Sequence, residues 1–465
     1  MHSRELLTAA ADHAVDFLEG MPERHVGPVA TDPDVLRAAL GGPLPVGPQD
    51  AREVLDDLVD AAGPGLMASQ SPRFFGFVLG GSLPAALAAD WMTSAWDQNA
   101  GLYVASPAAA VAEEVVGGWL AELLELPADA SFAITTGCQM AHATCLAAAR
   151  HHVLAQVGWD VEARGLTDSP PIRLLANADF HMTLGRAVRL LGLGTDALVR
   201  VETDGEGRMR PDALRAALAG GDGPTIVCAQ AGEVNSGACD PFAEVCDAAS
   251  ERGAWVHVDG AFGLWAAAAP AHRHLVAGAG RADSWATDAH KWLNVPYDAG
   301  LAFVARPEAH RAAFSGAAAY LPTGFRDAMD WTPDASRRAR AFTIWAAVRS
   351  LGRDGVAEMI ERCCACARRF AEVLEADPDV EVLNDVVLNQ VLVRFGDDDA
   401  TTDAVLAAVQ DEGTSWMGPT SWRGRRAMRI SVSNWATTPA DVDRSCAAIF
   451  AVRASERADA SIRPA

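Results

Sequence analysis

The chain is short of positive charge: 38 Lys plus Arg face 61 Asp plus Glu, a net charge of -23 at pH 7, and no lysine- or arginine-rich block interrupts that excess. A surface of this kind repels nucleic acid and anionic lipid, so neither is expected as a partner. Long apolar runs are missing too: none approaches the roughly 18 uninterrupted residues that a membrane helix requires. The start, MHSRELLTAAADHAVDFLEG, lacks a basic region followed by an apolar core and cleavage site; it is an amphipathic helix carrying acids, not a signal peptide. Disulfide patterning is absent as well. The nine cysteines, at 138, 145, 228, 239, 246, 363, 364, 366 and 446, form neither an even framework nor paired C-x-x-C ligand sets. That usage suits a reducing cytoplasm, and a soluble cytoplasmic protein is expected.

What is present is enough apolar material, half of 465 residues, for one large domain plus a smaller one. Residues 1–64 read as a helical arm, with a proline-punctuated stretch and a second helix around Ala51 to Ala62. From Ala108 a helix carries Val111, Val115, Trp119 and Leu123 at helical spacing, an expected packed face, before Pro127 stops it. Between 65 and 315 the short apolar runs SFAITT, IRLLAN, ALVRVET, TIVCAQ, AWVHVDG and DSWAT alternate with helical patterns. Such alternation predicts an α/β domain with a mostly parallel sheet, whose ligands sit beyond the carboxyl ends of the strands. Residues 316–452 begin with a proline- and glycine-bearing loop and a long helix, then carry strands in EVLNDVVLNQVLVRF and AMRISVSNW, a small α+β domain. The tail, 453–465, is polar and expected to be loose.

In AWVHVDGAFG a strand delivers Asp259 at its carboxyl end, followed at once by the small residues Gly260, Ala261 and Gly263. A second strand, in DSWATDAHK, delivers Lys291, so both side chains converge on one rim. An acid and a lysine meeting there form either a structural ion pair or the pair that pyridoxal phosphate needs, a Schiff-base lysine and an aspartate on the pyridine nitrogen. A phosphate cup would be TTGCQMAHAT, where a strand ends in a glycine turn and opens a helix; the N–H groups of Gly137, Cys138 and Gln139 would meet a dianion there. His181, in NADFHMT, is either a capping or core histidine or a stacking partner for a flat ring.

From about Ser69 to Asp443 the chain resembles the group II pyridoxal-phosphate-dependent amino acid decarboxylases, the family of aromatic L-amino acid and glutamate decarboxylases, which have the aspartate-aminotransferase-like fold (fold type I). HVDGAFG is similar to its HVDAAYG, DAHKWLNVPYDAG to its D-x-HKW-L-x-x-P-x-D, and SRRARAFTIWAAVRSLGRDG to its GRR-x-R helix. The resemblance implies that Lys291 forms the Schiff base and serves as acid–base, and that Asp259 pairs with the pyridine nitrogen. It further implies that His181 stacks on the ring with Ala261 against the other face, and that Cys138, Gln139 and His290 hold the phosphate. Asn235, in the segment that replaces a threonine-rich turn, is expected beside the ring oxygen. The implied protein is a homodimer sharing its active site between subunits and decarboxylating an L-amino acid to an amine.

Two departures bear on the reaction and substrate. The family's loop tyrosine, which protonates the reacting carbon, falls at Ala328, with Tyr320 the nearest tyrosine; decarboxylation stays the expected reaction, and aminotransfer, aldehyde formation or Cα–Cβ cleavage are its alternatives. Asn99 and Gly101 replace bulky residues in WDQNAGLY, a polar note in a pocket where Phe77 and Leu79 would form an apolar wall; Arg429, in AMRISVSN, is either a partner for the substrate carboxylate or a structural strand arginine. A noncatalytic protein that merely binds the cofactor is disfavoured by the intact Asp259 and Lys291 pair. No metal is expected, since Cys363, Cys364 and Cys366 crowd one helix without a second ligand set.

Overall fold

The computed structural model describes residues 3–316 and 325–462, and the chain divides into two compact units. One comprises Gly80–Arg368 with Asn384–Val391, the other Met1–Leu79, Arg369–Leu383 and Leu392–Ala465.

The larger unit is built on seven strands: β1 (Ser131–Thr135), β2 (Arg173–Asn177), β3 (Leu198–Val201), β4 (Thr225–Gln230), β5 (Trp255–Asp259), β6 (Ser284–Asp288) and β7 (Gly300–Val304). Their order is β1-β7-β6-β5-β4-β2-β3. Strands β3, β2, β4, β5 and β6 pair in parallel, and β7 runs antiparallel to both β6 and β1. Every residue of β4, β5, β6 and β7 is buried, as expected of strands covered on both faces. The helix Cys138–Ala155, rich in alanine and cysteine, packs across this sheet as part of a large buried cluster. Asp288 of β6 and Thr135 of β1 both register with Gly300, and a side chain there would collide with the Gly137 backbone at 2.3 Å. Gly300 thereby lets the end of β1 and the end of β6 approach each other.

The helix Pro107–Leu123 corrects an expectation. Of the predicted face only Leu123 is buried; Val111 and Val115 are 49% and 37% exposed. The packed face is instead Ala109, Ala110, Glu113, Val116, Gly117 and Leu120, because small residues let this helix approach the sheet: a Cβ on Gly117 would lie 2.3 Å from the Phe132 ring.

The smaller unit holds β8 (Val380–Val382), β9 (Gln390–Phe395) from Leu392 onward, β10 (Gly418–Trp422) and β11 (Arg425–Ser431), in the order β10-β11-β9-β8. It includes the N-terminal helices, and the division between units falls within the long helix Ala341–Leu374 rather than at the loop after residue 315. The expected loose tail is helical as far as Ile462, held in part by Arg453, which pairs with Asp377 and, at 3.3 Å, with Asp379. Among the described residues no helix is long and apolar enough to cross a membrane.

Candidate active site

Lys291 sits in the one-turn helix Ala289–Trp292 that begins where β6 ends. Its Nζ lies 3.1 Å from Asp288 Oδ2, three residues earlier. The acid paired with the lysine is therefore Asp288, which the sequence reading passed over in favour of Asp259; the i, i+3 spacing in DAHK was the signal for it. Asp288 also accepts the Cys138 N–H at 2.6 Å and faces His290 Nε2 at 3.4 Å, so one carboxylate joins β6, the helix start and the lysine. Burial alone would lower the Lys291 pKa, but the Asp288 and Asp259 carboxylates outweigh it and hold the amine above its ordinary value. Lys291 is the only lysine in the chain, a second signal open to sequence reading.

Asp259, at the end of β5, is 7% exposed. Its Oδ1 accepts the Ala261 N–H at 3.1 Å and a weak Cys138 S–H contact at 3.9 Å, and its Oδ2 lies 3.4 Å from His142 Nε2. Burial pushes its pKa up, but the charge and hydrogen bond of His142, with help from His181 and the Ala261 N–H, more than reverse that and hold the carboxyl well below the usual carboxylate range. His142 was not anticipated: on sequence it is one histidine inside an apolar helix, and only the fold turns it toward Asp259.

His181 caps the helix Met182–Leu190, its Nδ1 accepting from the Thr183 N–H at 3.4 Å and lying 2.8 Å from Thr183 Oγ1. His290 accepts the Ala299 N–H on Nδ1 at 3.1 Å, which puts its hydrogen on Nε2, and its ring stacks on Tyr297 with centroids 4.2 Å apart. Burial lowers its pKa against the pull of Asp288. Gln139 is the second residue of the helix that Cys138 opens. Asn235 follows β4 and donates from its backbone N–H and side-chain amide to Glu233, at 2.6 and 3.0 Å. Asn99 Oδ1 accepts two backbone N–H groups, from Gly101 and Arg337, each at 3.1 Å. Ala328 is buried in a short 3-10 turn, and Tyr320 lies outside the described residues. Phe77, Leu79 and Arg429 belong to the smaller unit: Phe77 sits at φ 54° with its ring 5.1 Å from Trp416, the Leu79 carbonyl accepts from Ser433 Oγ at 3.0 Å, and Arg429 is part of β11.

A lysine amine, an ionised buried aspartate and a helix start at the carboxyl ends of adjacent strands are what an aldehyde, a pyridine nitrogen and a phosphate would require of one site. Residues 33–395 match the profile of the family described as pyridoxal-dependent decarboxylase conserved domain. The chain belongs to this family. The aromatic-L-amino-acid decarboxylase of Sus scrofa is 28% identical over 442 residues, covering 90% of this chain and 90% of that protein. The 4-hydroxyphenylacetaldehyde synthase of Rhodiola rosea is 29% identical over 386 residues, covering 80% and 77%. Among solved structures, Oryza sativa TDC with PLP and tryptamine superimposes with a TM-score of 0.90 at 26% identity, covering 97% of this chain and 98% of that one. The fold is thus the fold type I α/β architecture, the cofactor is pyridoxal phosphate, and the protein is a pyridoxal-phosphate-dependent amino acid decarboxylase.

Proposed function

We propose that the substrate is an aromatic L-amino acid, converted to its amine at a site in which Lys291 holds the cofactor. The observation that carries the site is Lys291 itself, the sole lysine, held at the carboxyl end of β6 beside Asp288 and within the field of Asp259. Bound pyridoxal phosphate supplies a protonated ring that accepts the electron pair left when the substrate carboxylate departs. Asp259 keeps the proton on the pyridine nitrogen. Lys291 would hold the cofactor and, as a free amine, would move protons beside Asp288, whose carboxylate lies 3.1 Å from its Nζ and would take up its positive charge. His181 and Ala261 would hold the cofactor ring, while Cys138, Gln139 and the Nε2–H of His290 would serve its phosphate and Asn235 its ring oxygen. Aromatic substrates are favoured by the printed activities of the relatives and by Asn99, whose carbonyl oxygen is already used by two backbone N–H groups.

A homodimer is supported by apolar surface on the larger unit, where Trp91, Met92, Trp96, Val111 and Trp345 are all more than 40% exposed. A cytoplasmic location is supported by nine buried free thiols. One observation favours a second reading, aldehyde formation: Ala328 stands where the resemblance places a proton-donating tyrosine, and a relative is an aldehyde synthase.

A product screen decides. L-Tyrosine, L-tryptophan, L-phenylalanine, L-DOPA and L-glutamate are incubated with the holoenzyme, scoring carbon dioxide, amine, aldehyde, peroxide and keto acid. Amine with equimolar carbon dioxide from an aromatic substrate is expected. Aldehyde with peroxide establishes the second reading, and keto acid without carbon dioxide overturns both.

A further inference from the structure

The chain just beyond Lys291 is tied down by a buried side chain that the proposed chemistry does not use. Lys291 belongs to a single helical turn, Ala289–Trp292, and one turn holds too few hydrogen bonds to keep its own shape in isolation. The last carbonyls of such a turn have no partner further along a helix and must be met by other groups. Asn294 meets them. Its side-chain Nδ2 donates to the Lys291 carbonyl at 3.3 Å and to the Trp292 carbonyl at 3.1 Å, and its backbone N–H donates to the same Lys291 oxygen at 3.3 Å. Only the NH2 end of an amide can face two carbonyls, so the orientation of this side chain is fixed by its partners.

The backbone at this position explains the residue type. Asn294 is wholly buried and has φ 53°. Glycine and asparagine are the residues that commonly end helices in this left-handed conformation, and of the two only asparagine carries a side-chain donor. The Asn294 carbonyl accepts the Leu83 N–H at 2.8 Å, and its Nδ2 approaches Met359 Sδ at 3.6 Å. Gly80 closes the same place from another direction: a Cβ there would run into the Lys291 carbonyl oxygen and lie 2.9 Å from Asn294 Cγ. Residues 80–83 and Asn294 thus converge on the backbone of the lysine. The contact between Lys291 Nζ and Asp288, 3.1 Å across three residues, depends on this turn staying helical.

We infer that Asn294 is a positioning residue for Lys291: by holding the Lys291 and Trp292 carbonyls it keeps the turn closed, and so keeps the reacting amine beside Asp288. The inference rests on Lys291 being the residue that holds the cofactor.

The first test needs no variant. Because Lys291 is the sole lysine, wild-type holoenzyme grown with carbonyl-13C lysine and side-chain-15N asparagine carries a single lysine carbonyl label. A dipolar coupling from that carbon to an asparagine amide, corresponding to about 4 Å, is expected, the reach of one N–H···O=C contact; its absence overturns the inference whether or not any variant folds. The second test is Asn294→Gly, which keeps the left-handed backbone available and removes the amide. Its kcat per bound cofactor is expected to fall about 10²-fold with KM little changed, the scale for a small misplacement of a reacting group. In cofactor-free protein, the pH at which Lys291 reacts with an amine-directed reagent is expected to fall as the amine leaves Asp288. A merely structural asparagine would lower the unfolding temperature and the yield of holoenzyme, yet leave kcat per bound cofactor and the labelling midpoint at their wild-type values; either value unchanged in the folded variant overturns the inference. If borohydride places no pyridoxyl group on the peptide containing residue 291 of the wild type, the assignment of Lys291 to the cofactor fails, while the carbonyl–amide distance and the labelling midpoint still decide whether Asn294 holds the lysine.

Discussion

Two ion pairs in the larger unit put the same kinds of charge to different ends. Glu113 and Arg337 pair at 2.6 Å with side chains 2% and 1% exposed, and Arg337 also donates to the carbonyls of Ala100 and Ile134. Its guanidinium cannot lose its proton and is held by several fixed acceptors. Lys291 and Asp288 are paired at 3.1 Å, but the lysine is 19% exposed and Asp288 shares its oxygens with the Cys138 N–H. An ammonium on a flexible stem with one carboxylate partner can be exchanged for a covalent bond. The difference separates a pair that fixes architecture from a pair poised for chemistry.

The largest expected effect is on the reactive pair. Lys291→Arg keeps the charge but removes a nucleophile that can deprotonate, and kcat is expected to fall about 10⁴-fold or more; near-normal turnover would remove Lys291 from the chemistry. Because no other lysine exists, borohydride reduction of the wild-type holoenzyme should place the pyridoxyl group on the peptide containing residue 291 and on no other side-chain amine. Asp259→Asn is expected to cost roughly 10²–10³ in kcat, the scale for removing one preorganised electrostatic partner.

The architectural pair should respond in stability instead. Glu113→Ala leaves a buried guanidinium without its counter-charge and is expected to destabilise by about 3–5 kcal/mol in denaturant unfolding, whereas replacing Glu113 and Arg337 together with apolar residues should recover much of that loss. If Glu113→Ala unfolds like the wild type, the contrast between the two pairs fails.

A third region sharpens the contrast by pH. His310 is buried, donates from Nε2 to the Trp331 carbonyl at 2.8 Å, and has its pKa pushed down to about 3 by that burial. A histidine that takes up its proton only at low pH in the fold but near 6.5 when unfolded contributes stability that is present above 6.5 and lost as pH falls toward 3. Unfolding free energy should therefore decline below pH 6.5 by about 1.4 kcal/mol per unit from this group, and His310→Gln should make the decline shallower. An unchanged slope would show that the histidine titrates normally in the fold.

Much of this was legible in the sequence for a physical reason. The runs SFAITT, IRLLAN, TIVCAQ and AWVHVDG contain β1, β2, β4 and β5, and DSWAT covers β6 up to Thr287, because strands buried on both faces must be continuously apolar. The convergence of Asp259 and Lys291 on one rim followed from parallel neighbours ending together. What escaped depends on which face of a helix the fold selects. Val111 and Val115 carried the apolar periodicity, yet the small residues beside them, with Glu113, were the ones packed. Glu113 finds its partner 224 residues away, and His142 finds Asp259 and His257 only once the helix lies across the sheet. Asp288 was hidden for the opposite reason: a partner three residues away was overlooked for one 32 residues away.

The smallest expected effect tests that local partner. Asp288→Asn preserves shape, and its amide oxygen can still accept the Cys138 N–H that now lies 2.6 Å from Oδ1, so the substitution removes charge with little else. Since the Asp288 carboxylate is the leading influence raising the Lys291 pKa against burial, the variant's amine should lose its proton at lower pH. The sole lysine makes this directly measurable in cofactor-free protein: an amine-directed reagent, followed by mapping of the peptide containing residue 291, reports deprotonation as a function of pH without interference from other lysines. The midpoint should move to lower pH in Asp288→Asn and stay in place in Glu113→Gln, whose lost charge belongs to the architectural pair. A midpoint that stays put or rises in Asp288→Asn would mean that Asp259, not Asp288, governs the charge on Lys291.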